Sequence, residues 1–235
     1  MRDYFVFGSV NVTDYGLYAA NKNQFDGAGK RIKIIQIPGR NGTLGISDGT
    51  FENINITYET YIKSQIEANI AGLRGALGSI SGYVRLTDSF EPDIFMKARY
   101  AEPFTVKGSD RKSAAINISF DCDPRRFLKT GEKAKTYTSA AQLKNPTRYE
   151  ALPLIRAYGI GTLTVSGTAV TITAANAYTD IDSETEEAYK DNLSSSCNNN
   201  IVLDNGKFPS LKEGLNEISF TGLSKIEIIP RWWTR

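Results

Sequence analysis

Only one segment of this 235-residue chain has the apolar spacing of an amphipathic helix. From residue 62 to residue 77 the large apolar side chains recur every three or four positions, which is the period of a helix with one buried face. Nearly all other apolar stretches alternate with polar residues, as residues 31–37 and 115–120 do. Alternation is the period of a half-buried strand, so we expect a mainly β fold with a single α-helix near residues 62–77.

The strand-like stretches form two groups, separated by a polar segment without sustained periodicity. A chain of this length can bury the cores of two domains. We therefore predict a β-rich domain over residues 1–135 that contains the helix, a linker over residues 136–150, and a second domain over residues 151–235. In the second domain short strands alternate with Gly, Asn and Ser clusters, which is typical of an antiparallel β-sandwich.

The two regions also differ in charge. Residues 1–145 hold 20 Lys+Arg and 15 Asp+Glu, whereas residues 146–235 hold 8 and 11, so the two parts carry +5 and −3. Opposite charges favour end-to-end contacts between copies of a chain. An imbalance this small does not indicate nucleic-acid recognition.

The chain contains no histidine, and this excludes several classes of enzyme. Histidine is the commonest general base and transition-metal ligand near neutral pH. Ser-His-Asp, Cys-His and His-zinc sites are therefore excluded. What remains is carboxylate, lysine or tyrosine chemistry and the binding of hard cations by oxygen, each of which needs its own positive evidence.

No motif supplies that evidence. Gly39, Gly42 and Gly45 do not join a strand to a helix, as phosphate-binding loops do, so they are expected in turns. The acidic segment 180–187 could ligate calcium but lacks the glycine and distal glutamate of an EF-hand loop, and acids on the outer face of a strand explain it equally well. The basic run at 125–135 is more simply a solvated linker or subunit contact than a phosphate site. We predict no catalytic, cofactor-binding or metal-binding residues, and a protein that is not an enzyme.

Two segments carry residues expected at an interface. Residues 38–42, Pro-Gly-Arg-Asn-Gly, predict a tight turn after the strand at 31–37. The adjacent rings of Trp232 and Trp233 must point to opposite faces of a strand, so one fills the sandwich core and the other is an interface anchor or a sugar-stacking platform. We favour the interface, because large aromatic residues concentrate at subunit contacts. The predicted subunit or partner interface comprises Arg31, Arg40, Asn41, Trp232 and Trp233.

The sequence also limits where the protein is expected to act. It has no apolar run of the roughly 20 residues that cross a bilayer, and its first residues lack the apolar core of a signal peptide. The two cysteines, Cys122 and Cys197, lie far apart and are expected to stay reduced. These features predict synthesis in the cytosol and no association with membrane.

Five segments together resemble the distal tail proteins of long, non-contractile-tailed bacteriophages and prophages of Gram-positive hosts. They are distributed in order over most of the chain, and their specificity lies in the combination. The segments are residues 37–44, Ile-Pro-Gly-Arg-Asn-Gly-Thr-Leu; 58–61, which lead into the helix; 181–189, Ile-Asp-Ser-Glu-Thr-Glu-Glu-Ala-Tyr; 208–211, Phe-Pro-Ser-Leu; and 227–233, Glu-Ile-Ile-Pro-Arg-Trp-Trp.

This resemblance implies an N-terminal sandwich-like domain that forms a hexameric ring and a C-terminal galectin-like β-sandwich that faces outward. Such a ring is a hub at the distal end of the virion tail. Its expected partners are copies of itself, a tail-tube protein, a tail-tip or tail-associated protein, and a receptor-binding protein. DNA passes through the lumen as cargo and is not read.

Two other functions are compatible with the residues. A carbohydrate-binding module that attaches the particle to cell-wall glycans would use the sandwich and the tryptophans. A wall-degrading glycosidase would use two carboxylates that meet only in the folded chain. The carboxylate pair of a glycosidase has no recognisable signature in the sequence.

Overall fold

The computed structural model of the protein describes residues 2–23, 26–100, 102–109 and 113–235. The chain divides into two compact units, one reaching Arg126 and including Arg235, the other spanning Phe127–Thr234. Each unit has its own hydrophobic core. Both are built from antiparallel strands, and the described residues contain a single α-helix. The mainly β fold predicted from the alternation of apolar residues is confirmed.

The described residues of the first unit form ten strands and the helix. The elements are β1 (Phe5–Phe7), β2 (Val10–Asn11), β3 (Leu17–Lys22), β4 (Lys30–Gln36), β5 (Thr43–Phe51), β6 (Ile54–Ile62), α1 (Ile66–Ser79), β7 (Val84–Asp88), β8 (Ile94–Arg99), β9 (Thr105–Ser109) and β10 (Ala114–Leu128). Strands β1, β7, β8, β10, β6 and β3 lie side by side in that order, β2 pairs with β1, and β9 pairs with β10.

Aromatic side chains form the centre of this unit's core. Phe5 stacks on Tyr58 with ring centroids 4.4 Å apart, and Phe7 lies 4.7 Å from Phe120. These residues occupy alternate, inward-facing positions of β1, β6 and β10, as the period of two predicts. Leu73 and Leu77 of α1 are fully buried in the same cluster, so the helix contributes its apolar face to the core.

The helix begins four residues later than predicted. Ile62 and the preceding residues continue the alternating burial of β6, so Ile62 belongs to that strand. The chain then turns through Gln65, which has a left-handed backbone with φ of 46°, immediately before α1. The apolar spacing could not distinguish the end of the strand from the start of the helix, because Ile62 fits both patterns.

Residues 10–18 do not form one continuous strand. They form β2, a turn of 3-10 helix over Val12–Tyr15, and the start of β3. The side chain of Asn11 accepts a hydrogen bond from the backbone N–H of Thr13 at 3.1 Å and caps this turn. A capping side chain of this kind competes with the extended backbone and ends the strand.

The second unit is a two-layered antiparallel structure. The strands are β11 (Lys135–Tyr137), β12 (Ala141–Asn145), β13 (Leu154–Val165), β14 (Thr168–Ile172), β15 (Tyr178–Asp182), β16 (Glu187–Lys190), β17 (Asn192–Ser196), β18 (Ile201–Leu203), β19 (Gly214–Ile229) and β20 (Trp233–Thr234). Strands β11, β19, β13, β15, β16 and β17 are neighbours in that order, β12 pairs with β19, and β14 pairs with β13 and β18.

Two long strands build both layers because each bends in the middle. The first half of β13 pairs with β15 and the end of β19, and its second half pairs with β14 and the start of β19. At the bend the register shifts, with Gly161 packed against Gly222. A Cβ at Gly161 would lie 2.0 Å from the carbonyl oxygen of Thr221, and one at Gly222 would lie 2.6 Å from that of Ile160. Only glycine permits this approach, and the bend folds the apolar faces of the two layers onto one core.

The segment predicted as a linker contains strands. Within residues 136–150, β12 pairs with the first half of β19, and β11 pairs with the second half of that strand. The polar appearance of this segment reflects strands with one exposed face, in which Leu143 and Asn145 point inward and are buried. The side chain of Asn145 donates to the carbonyls of Tyr149 and Leu211, which satisfies its buried amide.

The glycine bend gives a direct test of the second unit. We expect Gly222→Ala to lower the free energy of unfolding by about 2–5 kcal/mol, since it adds a steric clash to the cost of a left-handed backbone. Gly167→Ala is the matched control, because Gly167 also has a positive φ but has no atom within 4 Å of an added Cβ. Denaturant titration should show a loss for the control of only about 1–2 kcal/mol. Equal losses would show that the close contact is unimportant.

Candidate assembly surface

The hairpin of β4 and β5 is almost wholly exposed, with only Ile35 and Phe51 partly buried in its two strands. These two strands form a sheet of their own and pair with no other strand in the part of the chain that the structure describes. Ile34 exposes 68% of its surface, Ile32 51% and Ile46 50%, and Ile37 and Leu44 are exposed as well. A two-stranded hairpin is marginally stable alone, and contiguous exposed apolar residues mark interaction sites. The hairpin is therefore the candidate assembly surface.

The tip of the hairpin is an ordered turn. The backbone N–H of Arg40 donates to the carbonyl of Ile37 at 3.1 Å, and Gly39 between them has φ of 79°. Pro38 followed by a glycine of positive φ is the signature of a type II turn, so the predicted turn is confirmed. Behind it lies an open hollow lined by Gln36, Ile37, Pro38, Arg40, Gly42 and Thr43.

The hairpin concentrates positive charge. Residues 30–51 contain Lys30, Arg31, Lys33 and Arg40 but only one acid, Asp48, which gives a net charge of +3. The whole chain carries +2, so all other residues together carry −1. Hydrogen bonds from Thr50 hold the pKa of Asp48 below its usual value, so Asp48 remains ionised. The remaining excess of cations is available for an acidic partner.

Side-chain and backbone hydrogen bonds fix the root of the hairpin to the body of the first unit. The side-chain amide of Asn23 donates to the carbonyl of Asn55 at 2.9 Å, and its oxygen accepts from the N–H of Thr57 at 2.8 Å. The N–H of Glu52 donates to the carbonyl of Gly29 at 2.9 Å. These contacts join the segments that enter and leave the hairpin.

A buried ionic network lies beside this root. Lys22, at the end of β3, donates to Asp88 at 2.8 Å and also pairs with Glu91. Arg126 donates to Glu91 at 2.7 Å and to the carbonyl of Asp26 at 3.3 Å, while the hydroxyl of Tyr58 donates to Asp88 at 2.6 Å. Lys22 and Asp88 are almost fully buried, and two cations balance two carboxylates. Buried charges are tolerated because each is paired and hydrogen-bonded.

The network also shifts the ionisation of its members. Burial raises the pKa of Asp88, but hydrogen bonds from Lys22 and Tyr58 outweigh it and hold this pKa below the usual value. Burial and the negative charge of Asp88 raise the pKa of Tyr58 well above its usual value, so the phenol remains a hydrogen-bond donor. Burial likewise raises the pKa of Cys122 to about 12. Cys122 and Cys197 are both free cysteines.

The two tryptophans occupy different environments. Trp232 is 2% exposed and packs in the core of the second unit. Trp233 is partly buried, with its ring stacked on Tyr149 at a centroid distance of 4.3 Å. Its Nε1 donates to the carbonyl of Glu150 at 2.9 Å. Of the pair, only Trp233 has a surface that a partner could contact.

The structure places three of the predicted interface residues on one hairpin, Arg31 near its root and Arg40 and Asn41 at its tip. Arg31, Arg40 and Asn41 are all exposed on the hairpin, whereas Trp232 and Trp233 belong to the second unit. Sequence reasoning missed β5 and the exposed isoleucines. It assigned Ile32 and Ile34 to an ordinary strand with one buried face, because periodicity reports which residues share a face and not whether that face is covered. The sequence feature that could have indicated an exposed hairpin is the run of cations among these isoleucines.

The acidic segment 180–187 makes ion pairs within the second unit. Arg156 contacts Asp180 at 2.7 Å, and Arg231 contacts Asp182 at 2.6 Å. Within the described ranges no group of three or more Cys, Asp or Glu side chains is placed to hold a metal ion. No helix there is long and apolar enough to span a bilayer.

Comparison with solved structures gives an informative likeness. No protein-family model matches the chain, and no curated protein matches it. Among solved structures, the chain is similar to the crystal structure of the Dit protein (gp 19.1) of phage SPP1, with a TM-score of 0.76 and 16% sequence identity, over 97% of this chain and 98% of that one. That protein is described as a paradigm of the hub adsorption apparatus in phages that infect Gram-positive bacteria. The fold implied by the sequence resemblance is confirmed.

The ionic network predicts how stability depends on pH. Because the pKa of Asp88 is lower in the folded than in the unfolded chain, its stabilising contribution is complete above its ordinary pKa of 3.8 and is lost as the pH falls below that value. Asp123 and Asp182 are shifted in the same direction. We expect the free energy of unfolding, measured by urea titration, to change little from pH 7 to pH 5 and to fall steeply below about pH 4.

Asp88→Asn isolates the contribution of this carboxyl. It should lower the free energy of unfolding by about 3 kcal/mol at neutral pH, because Lys22 loses a buried partner. It should also reduce the further loss of stability at acid pH, because the titrating carboxyl is gone. Asp121→Asn is the control, since its ion pair with Arg99 is more exposed. If Asp88→Asn lost as much stability at acid pH as the wild type, the attribution of this loss to the Asp88 carboxyl would be contradicted.

Proposed function

We propose that this chain is a structural hub protein of a phage tail tip, which assembles into a ring by docking its β4–β5 hairpin on a neighbouring copy. The observation that carries the proposal is the exposure of five large apolar side chains on that hairpin. Burying an isoleucine or leucine completely contributes about 1.5–3 kcal/mol, so a partner that covers several of them gains considerable affinity. The role is one of assembly and not of catalysis.

Charge favours a ring over a symmetric pair. Two hairpins that met face to face would each bring a net charge of +3 into one contact. A hairpin that docks on the remainder of another copy meets a net charge of −1 instead. Contacts of this head-to-tail type generate closed rings or filaments. In a closed ring, every hairpin makes the same contact with the next copy.

The likeness to the SPP1 protein supports the location of this ring. Two chains that share a fold over nearly their whole lengths can serve equivalent structural positions, although fold alone does not fix function. We infer a ring of six copies, with the first unit as the ring domain and the second as an outward, galectin-like sandwich. DNA would pass through the lumen, and a tail-tube protein, a tail-tip protein and a receptor-binding protein would bind around it in the virion.

The carbohydrate-binding alternative receives less support. Trp232 is buried, and one face of the Trp233 ring is covered by Tyr149. A sugar-stacking platform needs an open aromatic face, and the two adjacent rings do not provide a pair of such faces. The tryptophans that motivated this alternative are therefore used mainly inside the second unit.

The molecular mass of the protein in solution tests the proposed assembly. We expect wild-type protein to form rings as its concentration rises, measured by light scattering and imaged by electron microscopy. Replacing Ile32, Ile34, Leu44 and Ile46 with serine should weaken association by about 100-fold or more, because each interface anchor contributes about 1 kcal/mol or more. The monomer should still fold, since these side chains are exposed.

A matched control lies in the second unit, where Ile160, Leu193, Val202 and Leu215 are equally exposed. Replacing these four with serine should leave ring formation intact. A wild-type protein that remains monomeric at every concentration and binds no tail protein would overturn the proposal. Rings that survive the hairpin substitutions would show that another surface closes them.

A further inference from the structure

The hairpin tip carries one of the two Asn-Gly pairs in the sequence, Asn41-Gly42, and the other is Asn205-Gly206 in the second unit. In such a pair the backbone nitrogen of the glycine can attack the side-chain amide carbon of the asparagine. Glycine has no Cβ, so no side chain obstructs this close approach. Every other asparagine of the chain precedes a residue with a side chain. The reaction is therefore sterically easiest at these two pairs.

The reaction needs only water. At the hairpin tip, a bond forms between the backbone nitrogen of Gly42 and Cγ of Asn41, and the bond between Cγ and Nδ2 breaks. Nδ2 leaves as ammonia and takes up the proton that the glycine nitrogen releases. Water then opens the cyclic imide at one of its two carbonyl carbons and leaves an aspartate or an isoaspartate at position 41.

The pair at the hairpin tip is free to react. Both residues are exposed, and among the residues that the structure describes no hydrogen bond engages the Asn41 side chain or the N–H of Gly42. The hydrogen bond that closes the type II turn ends one residue earlier, at Arg40. Attack requires the deprotonated glycine nitrogen, and the net charge of +3 on residues 30–51 favours that anion.

The pair in the second unit is also exposed but is held in an unreactive geometry. Asn205 has φ of 54° and ψ of 24°, a conformation in which the nitrogen of Gly206 points away from the Asn205 side chain. The side-chain amide of Asn205 donates to the Asp204 carboxylate at 3.1 Å, and the N–H of Lys207 donates to the carbonyl of Asp204 at 3.2 Å. The negative charge of Asp204 also disfavours the glycine anion.

We propose that Asn41 is a site of spontaneous deamidation and that docking of the hairpin on the next copy protects it. The modification adds an acid beside Arg40 and lowers the net charge of residues 30–51 from +3 to +2. Isoaspartate also adds an atom to the backbone of the tip. Both changes weaken docking on a surface of opposite charge, so a subunit that stays unassembled loses its ability to join the ring. The reactive site stands without the ring, whereas its protection rests on the proposed function.

Peptide mass mapping of the full chain, kept dilute in mildly alkaline buffer, tests the site. We expect the amide at Asn41 to convert to the acid at least about tenfold faster than the amide at Asn205 in the same molecules. An isoaspartate-specific methyltransferase should label the tip peptide. The matched variant Asn41→Gln keeps the charge of the hairpin but must close a larger ring, so it should show no measurable conversion. Equal rates at the two asparagines, or a slower rate at Asn41, would overturn the site.

The same mapping on assembled rings tests the protection. Conversion at Asn41 should be at least about fivefold slower in rings than in dilute subunits, while the rate at Asn205 stays within about twofold. Asn41→Asp should raise the concentration at which half of the protein is assembled by about threefold or more, and Asn205→Asp should change it by less than about twofold.

The outcomes separate this inference from the proposed function. Equal conversion of Asn41 in rings and in dilute subunits would overturn the protection and leave the reactive site in place. A chain that never assembles would overturn the proposed ring and the protection with it, while the mapping of dilute protein would still decide whether Asn41 is the reactive site.

Discussion

An isolated two-stranded hairpin cannot bury its own side chains, and the proposed assembly of this protein depends on that constraint. A strand pair has two faces and no interior, so every apolar residue on it needs a surface from elsewhere. In the β4–β5 hairpin that surface is not supplied by the described part of the same chain. The exposed isoleucines are therefore either an aggregation hazard or an interface, and their placement among four cations favours an interface.

The rest of the first unit fixes the position of the hairpin's root. The side chain of Asn23 bridges to the start of β6, and the network of Lys22, Asp88, Glu91 and Arg126 holds the end of β3. Such buried ion pairs contribute little net stability compared with apolar packing, because their desolvation is costly. The role of these ion pairs is to fix the position of the backbone. A paired lysine and carboxylate fix where the chain leaves the sheet, so the hairpin projects from a defined point.

The second unit forms its two layers by bending two long strands. Gly161 and Gly222 allow β13 and β19 to bend together, so two strands supply both sheets. Arg156 and Arg231 then neutralise Asp180 and Asp182, which accounts for an acidic segment that could have suggested a metal site. Its tryptophans are largely committed to packing and hydrogen bonding within the unit.

How much the sequence predicts depends on whether a feature is local. Alternation located most of the long strands, and the Pro38-Gly39 turn follows from backbone dihedral preferences. The strand β5 was missed because Gly45, Asp48 and Gly49 disfavour extended structure, and pairing with β4 overrides that preference. The exposure of Ile32 and Ile34 could not be predicted, since it depends on no other element covering the hairpin, which is a property of the whole fold.

Hydrogen–deuterium exchange of the hairpin amides, followed as the protein concentration is raised, tests the central claim most directly. If the hairpin docks on a neighbouring copy, amides of residues 30–51 should become strongly protected as the protein assembles, while the buried strands β6 and β10 change little. Hairpin amides that exchange equally fast at all concentrations, in a sample whose mass shows assembly, would contradict the claim.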